Sequence, residues 1–139
     1  MNKEEELQKN MAIIEYYKEQ LRSLEVQFSY LQNAIADHTK AKITLEKLSK
    51  TKKETNVLLP IGGGAFIDAI AKNPALVLFE VGNGIVIEKT ADEAAEKIGK
   101  RIKDLQQTEE KISSMAQQLQ NGAADASVKV EKILSEQEK

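Results

Sequence analysis

The chain has 139 residues, 30% charged and 4% aromatic, with no Cys, no Trp, a single His and a formal net charge of −2. That length suits one domain or one extended architecture rather than two full domains. The near-neutral charge argues against a nucleic-acid binder relying on bulk electrostatics, and the absence of Cys excludes a disulfide framework, a thiolate nucleophile and a Cys-ligated metal. No apolar run approaches the roughly 18 residues of a membrane span. The opening Met1-Asn2-Lys3-Glu4-Glu5-Glu6 lacks the basic region and apolar core of a signal peptide. A cytoplasmic chain with no membrane partner is expected.

Ala, Glu, Lys, Leu and Arg make up 65 of the 139 residues, close to the half expected of long helices and coiled coils. The helix breakers are segregated. Both prolines and five of the seven glycines lie between residues 60 and 84, and residues 1–59 contain neither type. The fold class expected is therefore α+β: helix, compact β insert, helix, with a first coiled-coil helix over 1–54, two β-hairpins over 55–89 and a second coiled-coil helix over 90–139.

In the first segment Leu7, Ile14, Leu21, Phe28 and Ile35 recur by sevens, with Asn10, Tyr17, Leu24, Leu31, His38 and Leu45 three residues later. This ladder is the pattern of a coiled-coil seam. Asn2 with Glu5 resembles a capping box. Lys40, Lys42, Lys47, Lys50, Lys52 and Lys53 crowd the far end, where cations complement the helix dipole; a solvated helix end is favoured over a basic functional patch.

The middle contains Val57–Leu59, Ala65–Ile70, Leu76–Val81 and Ile85–Ile87, short aliphatic runs separated by Gly62-Gly63-Gly64, Lys72-Asn73-Pro74 and Gly82-Asn83-Gly84. Asn-Gly between apolar runs signals a two-residue type I′ turn, which needs positive φ at both positions. Four strands in two hairpins follow. Runs such as Leu76-Val77-Leu78-Phe79 are apolar on both faces, and a small isolated sheet is marginal in water, so other subunits are expected to pair with the strands and cover them.

Thr90 with Glu93 marks the start of the last helix. From there Ala91, Ile98, Leu105, Ile112, Leu119, Ala126 and Ile133 recur by sevens. The companion row three residues later is poor (Ala94, Arg101, Thr108, Met115, Gly122, Lys129), while Ala95, Ile102, Ala116, Ala123 and Val130 broaden the other side of the stripe. Matched helices flanking a short insert are expected to fold back as an antiparallel coiled-coil hairpin, bringing both termini to a free tip.

The chain offers little chemistry. Gly62-Gly63-Gly64 lacks a following Gly-Lys-Ser/Thr, and Gly82-Asn83-Gly84 lacks a third glycine and a following helix, so turns are favoured over a nucleotide cradle. His38, alone in a seam position, reads as a polar register-fixing layer rather than a base or a ligand. No nucleophile–base pair is visible. No catalytic residue, metal or cofactor is expected.

Met11, Ile13, Tyr16, Val128, Val130 and Leu134 are apolar residues that the seam does not need, all near the shared tip, with Val26, Tyr30 and Ile43 as mid-chain exceptions. Exposed apolar groups on a charged rod suggest a contact surface; the bland alternative is that they widen the intramolecular contact. Gly122, Ala123, Ala124 and Ala126 are expected to loosen the second helix before its tip.

The whole pattern resembles the α-class subunits of prefoldin, a chaperone of archaea and eukaryotes. The resemblance is strongest over Val57-Leu58-Leu59-Pro60-Ile61-Gly62-Gly63-Gly64 and over Val81-Gly82-Asn83-Gly84-Ile85-Val86-Ile87-Glu88-Lys89-Thr90 with Ala94. Four strands match the α class, whereas β-class subunits carry one hairpin. The resemblance implies two α and four β-class subunits joined through a double β-barrel platform, with Val57, Leu59, Phe66, Ile67, Leu76, Leu78, Phe79, Ile85 and Ile87 carrying assembly. It further implies that Leu7, Met11, Ile13, Ile14, Tyr16, Tyr17, Val128, Val130, Ile133 and Leu134 hold non-native polypeptides, without ATP, before delivery to a group II chaperonin. The rival readings are a structural coiled-coil spacer, which should have polar tips, and an adaptor for one folded partner.

Overall fold

The computed structural model describes residues 2–138. The chain order is α1 (Lys3–Ser49), β1 (Thr55–Gly62), β2 (Ala65–Ala71), β3 (Leu76–Gly82), β4 (Ile85–Thr90) and α2 (Ala91–Gln137). Two long helices with two antiparallel β-hairpins between them are the α+β arrangement that the segregated breakers anticipate.

Both helix starts are capped by the residues that the sequence singles out. The Glu5 N–H donates to Asn2 Oδ1 at 2.8 Å, and the Glu93 N–H donates to Thr90 Oγ1 at 3.1 Å, satisfying one orphan donor at each helix start. The end of α1 differs from the expectation. It stops at Ser49 rather than running to residue 54. The Lys50 and Thr51 N–H groups reach back only three residues, to the carbonyls of Lys47 and Leu48, and the Ser49 and Thr51 hydroxyls donate to the Glu46 and Lys47 carbonyls. Such tightened, hydroxyl-capped final turns end a helix without a glycine.

The chain forms two compact units. One comprises residues 1–34 and 105–139. Here α1 and α2 run antiparallel: Lys3 Nζ lies 3.2 Å from Glu136 Oε2, and buried Leu24, Leu31 and Ile112 pack with Phe28, Leu105, Ala116 and Leu119. The seam on α2 is Leu105, Ile112, Leu119, Ala126 and Ile133 together with Ala116, Ala123 and Val130, four positions after Ile112, Leu119 and Ala126, all buried or half-buried. Thr108, Met115 and Lys129, from the row three residues later, are exposed. Residues three and four away are both neighbours on a helix face, and the position of α1 selects the second set.

The other unit, residues 35–104, holds both hairpins. β1 pairs with β2 and β3 with β4 as separate two-stranded antiparallel sheets. The turns share one geometry: Gly63 and Gly64 have φ of 58° and 78°, Asn83 and Gly84 have 51° and 75°, as type I′ requires. Each hairpin also slips register by one residue just before its turn, between Pro60 and Gly62 and between Glu80 and Gly82. Phe79, Ala94 and Ile98 form the core of this unit, with Ala41, Leu45, Val77 and Ile102 against them.

Candidate functional site

The two glycine runs are hairpin turns, so no phosphate cradle exists at either place. Among the described residues no group of three His, Cys, Asp or Glu is placed to hold a metal ion, and no helix is long and apolar enough to cross a membrane. The candidate surfaces are apolar: the faces of the hairpins, and the paired helix ends.

In the first hairpin, the register puts Val57 opposite Ala69 and Leu59 opposite Ile67 on one face, and Leu58 opposite Asp68 and Pro60 opposite Phe66 on the other. Leu59, Phe66 and Ile67 are exposed and Val57 is half-buried; Leu58, Ile61 and Ile70, which the sequence reading passes over, are exposed too. Phe66 therefore does not share a face with Val57, Leu59 and Ile67. The apolar surface is two-sided, and among the described residues neither outer strand edge is paired.

The second hairpin is different. Phe79 is only 8% exposed and lies against Ala94 (0%) and Ile98 of α2. The Arg101 guanidinium carbon sits 4.7 Å from the centre of the Phe79 ring, and Arg101 donates a 3.1 Å hydrogen bond to the Glu80 carbonyl. Alanine at position 94 has no side chain beyond Cβ, which lets the strand approach the helix closely. Phe79, which the resemblance places among the assembly residues, is thus packed against α2 within the chain. Ile87 pairs with Phe79 on the helix-facing side, whereas Leu76 and Leu78 point the other way. Leu78 is 76% exposed; Ile85 and Val86 are also exposed. Arg101 carries no hydrophobic signal, so its anchoring role is invisible in a search for apolar periodicity. Glu80 adds a local brace, accepting from the Gly84 N–H at 3.2 Å.

At the helix ends, Met11, Tyr16, Val128 (62%) and Leu134 are exposed. Leu7, Ile13, Ile14, Tyr17 and Val130 are half-buried, and Ile133, at 7%, is buried in the interhelical seam. The ten sequence candidates thus divide into exposed residues and residues packed in the seam. Val130 belongs to the seam rather than outside it. Tyr16 and Tyr17 form a tilted aromatic pair with ring centres 5.8 Å apart. Gly122 is also explained differently from the expectation of a loosened helix. A Cβ there would lie 2.8 Å from Tyr17 Cζ, inside van der Waals contact. Gly122 is a notch that receives the Tyr17 ring.

Two long helices, two separate β-hairpins with exposed apolar residues, and a helix pair with exposed apolar ends define a coiled-coil chain with a β insert. The family of prefoldin subunits matches residues 17–136. The chain is 34% identical to the prefoldin subunit alpha of Methanococcus maripaludis strain C5 over 113 residues, covering 81% of this chain and 76% of that relative. It is 30% identical to prefoldin subunit alpha of Archaeoglobus fulgidus, covering 86% and 87% of the two chains. In fold it is similar to a chain in the cryo-EM structure of filamentous prefoldin from Methanocaldococcus jannaschii, with a TM-score of 0.58 at 24% identity, over 90% of this chain and 98% of that one. The chain belongs to the prefoldin family of chaperone subunits, and its relatives from Methanococcus maripaludis and Archaeoglobus fulgidus are α subunits.

Proposed function

We propose that this chain is the α-class subunit of an ATP-independent, cytoplasmic holdase: two copies join four β-class subunits through a β-barrel platform, hold non-native polypeptides at the helix ends, and deliver them to a group II chaperonin. Assembly rests on the hairpins. Leu59, Ile67, Leu76, Leu78, Ile85 and Ile87 expose apolar surface on strands whose outer edges have no partner among the described residues; pairing with strands of other subunits would satisfy those edges.

The observation that carries client holding is the exposure of Met11, Tyr16, Val128 and Leu134 on a helix pair otherwise rich in charge. Non-directional apolar contact suits unfolded chains of varied sequence, because it asks for no defined geometry. Several weak contacts on one body add by avidity. The deciding experiment removes residues 1–18 and 122–139 from the subunit and compares the complexes. The subunit stoichiometry should persist and suppression of client aggregation should disappear; undiminished suppression by a trimmed, intact complex refutes holding at the helix ends.

A further inference from the structure

Outside the seam, one row of α1 carries no charge from residue 13 to residue 30. Ile13, Tyr16, Gln20, Ser23, Gln27 and Tyr30 recur at alternating three- and four-residue steps, so they line one flank of the seam. None is charged. The corresponding row on the opposite flank contains Glu15, Lys18, Arg22 and Glu25. On α2, Thr108, Met115, Gly122 and Lys129, spaced by sevens, follow the same flank, and this row carries no charge from Thr108 to Gly122: Gly122 lines the same hollow as Ile13, with Asp125 and Lys129 at its tip end, and Thr108 the same groove as Gln27 and Tyr30. Tyr16, Val26, Tyr30 and Met115 are each at least half exposed. Between Val26, Tyr30, Thr108 and Ile112 lies an open groove of about 350 Å³.

The composition of this flank argues for one kind of occupant. A third coiled-coil helix, including one from a second copy of this chain, would need apolar layers throughout the row, and Gln20 and Ser23 interrupt it. A charged folded partner finds no ion-pairing group along the α1 row. An extended unfolded segment fits better: its apolar side chains meet Ile13, Tyr16 and Tyr30, and its unpaired main-chain N–H and C=O groups meet the amides and hydroxyl of Gln20, Ser23 and Gln27. The flank is also continuous with the helix-end surface through Ile13 and Tyr16.

We infer that a polypeptide held at the helix ends continues along this uncharged row of α1 as an extended, apolar-rich segment and seats a side chain in the groove between Val26, Tyr30, Thr108 and Ile112. From Ile13 to Tyr30 the helix rises about 26 Å, the span of about eight extended residues. The inference rests on the holdase reading above.

The test places p-benzoylphenylalanine at Tyr16, Tyr30 or Arg22, one position at a time, in the full assembled complex, and irradiates it with urea-unfolded citrate synthase as client. Client adducts are expected at positions 16 and 30 and only background at 22. The double substitution Val26→Glu/Tyr30→Glu, both at exposed positions, should weaken client binding about tenfold without changing subunit stoichiometry. Adducts at 16 with position 30 no better than 22 overturn the flank and leave the helix-end reading standing. Absence of client adducts at both 16 and 30 overturns the flank, and the trimming experiment then decides separately whether the helix ends hold clients at all. Adducts at 30 that join only another subunit make the flank an intersubunit contact and overturn the inference.

Discussion

The two β-hairpins are built alike and held differently. Both have a two-residue turn with positive φ, both carry a positive-φ glycine just before it, and both slip register by one residue at the same place. Yet every large apolar side chain of the first hairpin except half-buried Val57 is exposed, while the second is anchored to α2 by Phe79 over Ala94 and Ile98, under Arg101. Turn chemistry forms a hairpin, but it does not decide what the hairpin lies against. That depends on one aromatic residue meeting a helix surface of small residues. The first hairpin has a phenylalanine too, Phe66, but it has no such surface beneath it and remains exposed.

The sharpest way to test this contrast is to charge the faces that the chain itself leaves uncovered. The double substitution Leu59→Asp/Leu78→Asp should abolish incorporation into the complex, since buried unpaired carboxylates cost several kcal/mol each. Native mass spectrometry of the co-expressed subunits should then find no complex containing this chain. Full incorporation would mean that neither face is the assembly surface.

Truncating the two phenylalanines should separate anchoring from assembly. Phe79→Ala is expected to cost about 3 kcal/mol, the usual range for an emptied aromatic site, and to raise amide exchange across β3, β4 and the first turns of α2. Phe66→Ala should leave exchange in the isolated subunit unchanged and act only on assembly. Equal exchange profiles for the two variants would erase the distinction between the hairpins.

Arg101→Ala should have a smaller effect, about 1 kcal/mol from the lost ring contact and carbonyl hydrogen bond, visible as faster exchange confined to β3 and β4; Arg101→Lys should restore part of the protection. The smallest contrast is expected at the turns. Gly64→Ala and Gly84→Ala should each cost about 1 kcal/mol, because both positions sit in the left-handed region. The two costs should agree, since the turns share their geometry; a large difference would show that the hairpins are less alike than their dihedral angles indicate.

Much of the fold is legible in the residues. The Asn2 and Thr90 caps, the Asn-Gly and Gly-Gly turns and the antiparallel pairing of two long helices are local or strongly periodic signals, and each appears in the structure where the sequence placed it. The strand faces are not legible in this way. In Leu76-Val77-Leu78-Phe79 every residue is apolar, so a period of two carries no sign telling which face turns toward the helix. The candidate surfaces inherit that ambiguity: Leu78 is outermost and Phe79 is hidden, one residue apart. The helix ends blur for a related reason, since Ile13, Val130 and Ile133 are as apolar as Met11 and Val128, and only the partner helix separates seam from surface.

By itself the sequence determined where helices begin, where the chain turns, and that apolar surface remains after one chain is folded, because capping, positive-φ turns and heptad spacing depend on residues within a few positions of one another. Only the tertiary structure decided that Phe79 faces inward, that Arg101 is an anchor and that Gly122 is a notch for Tyr17. Each of those depends on a side chain distant in sequence, Tyr17 against Gly122 and Phe79 against Ala94 among them. No local pattern encodes such a distance.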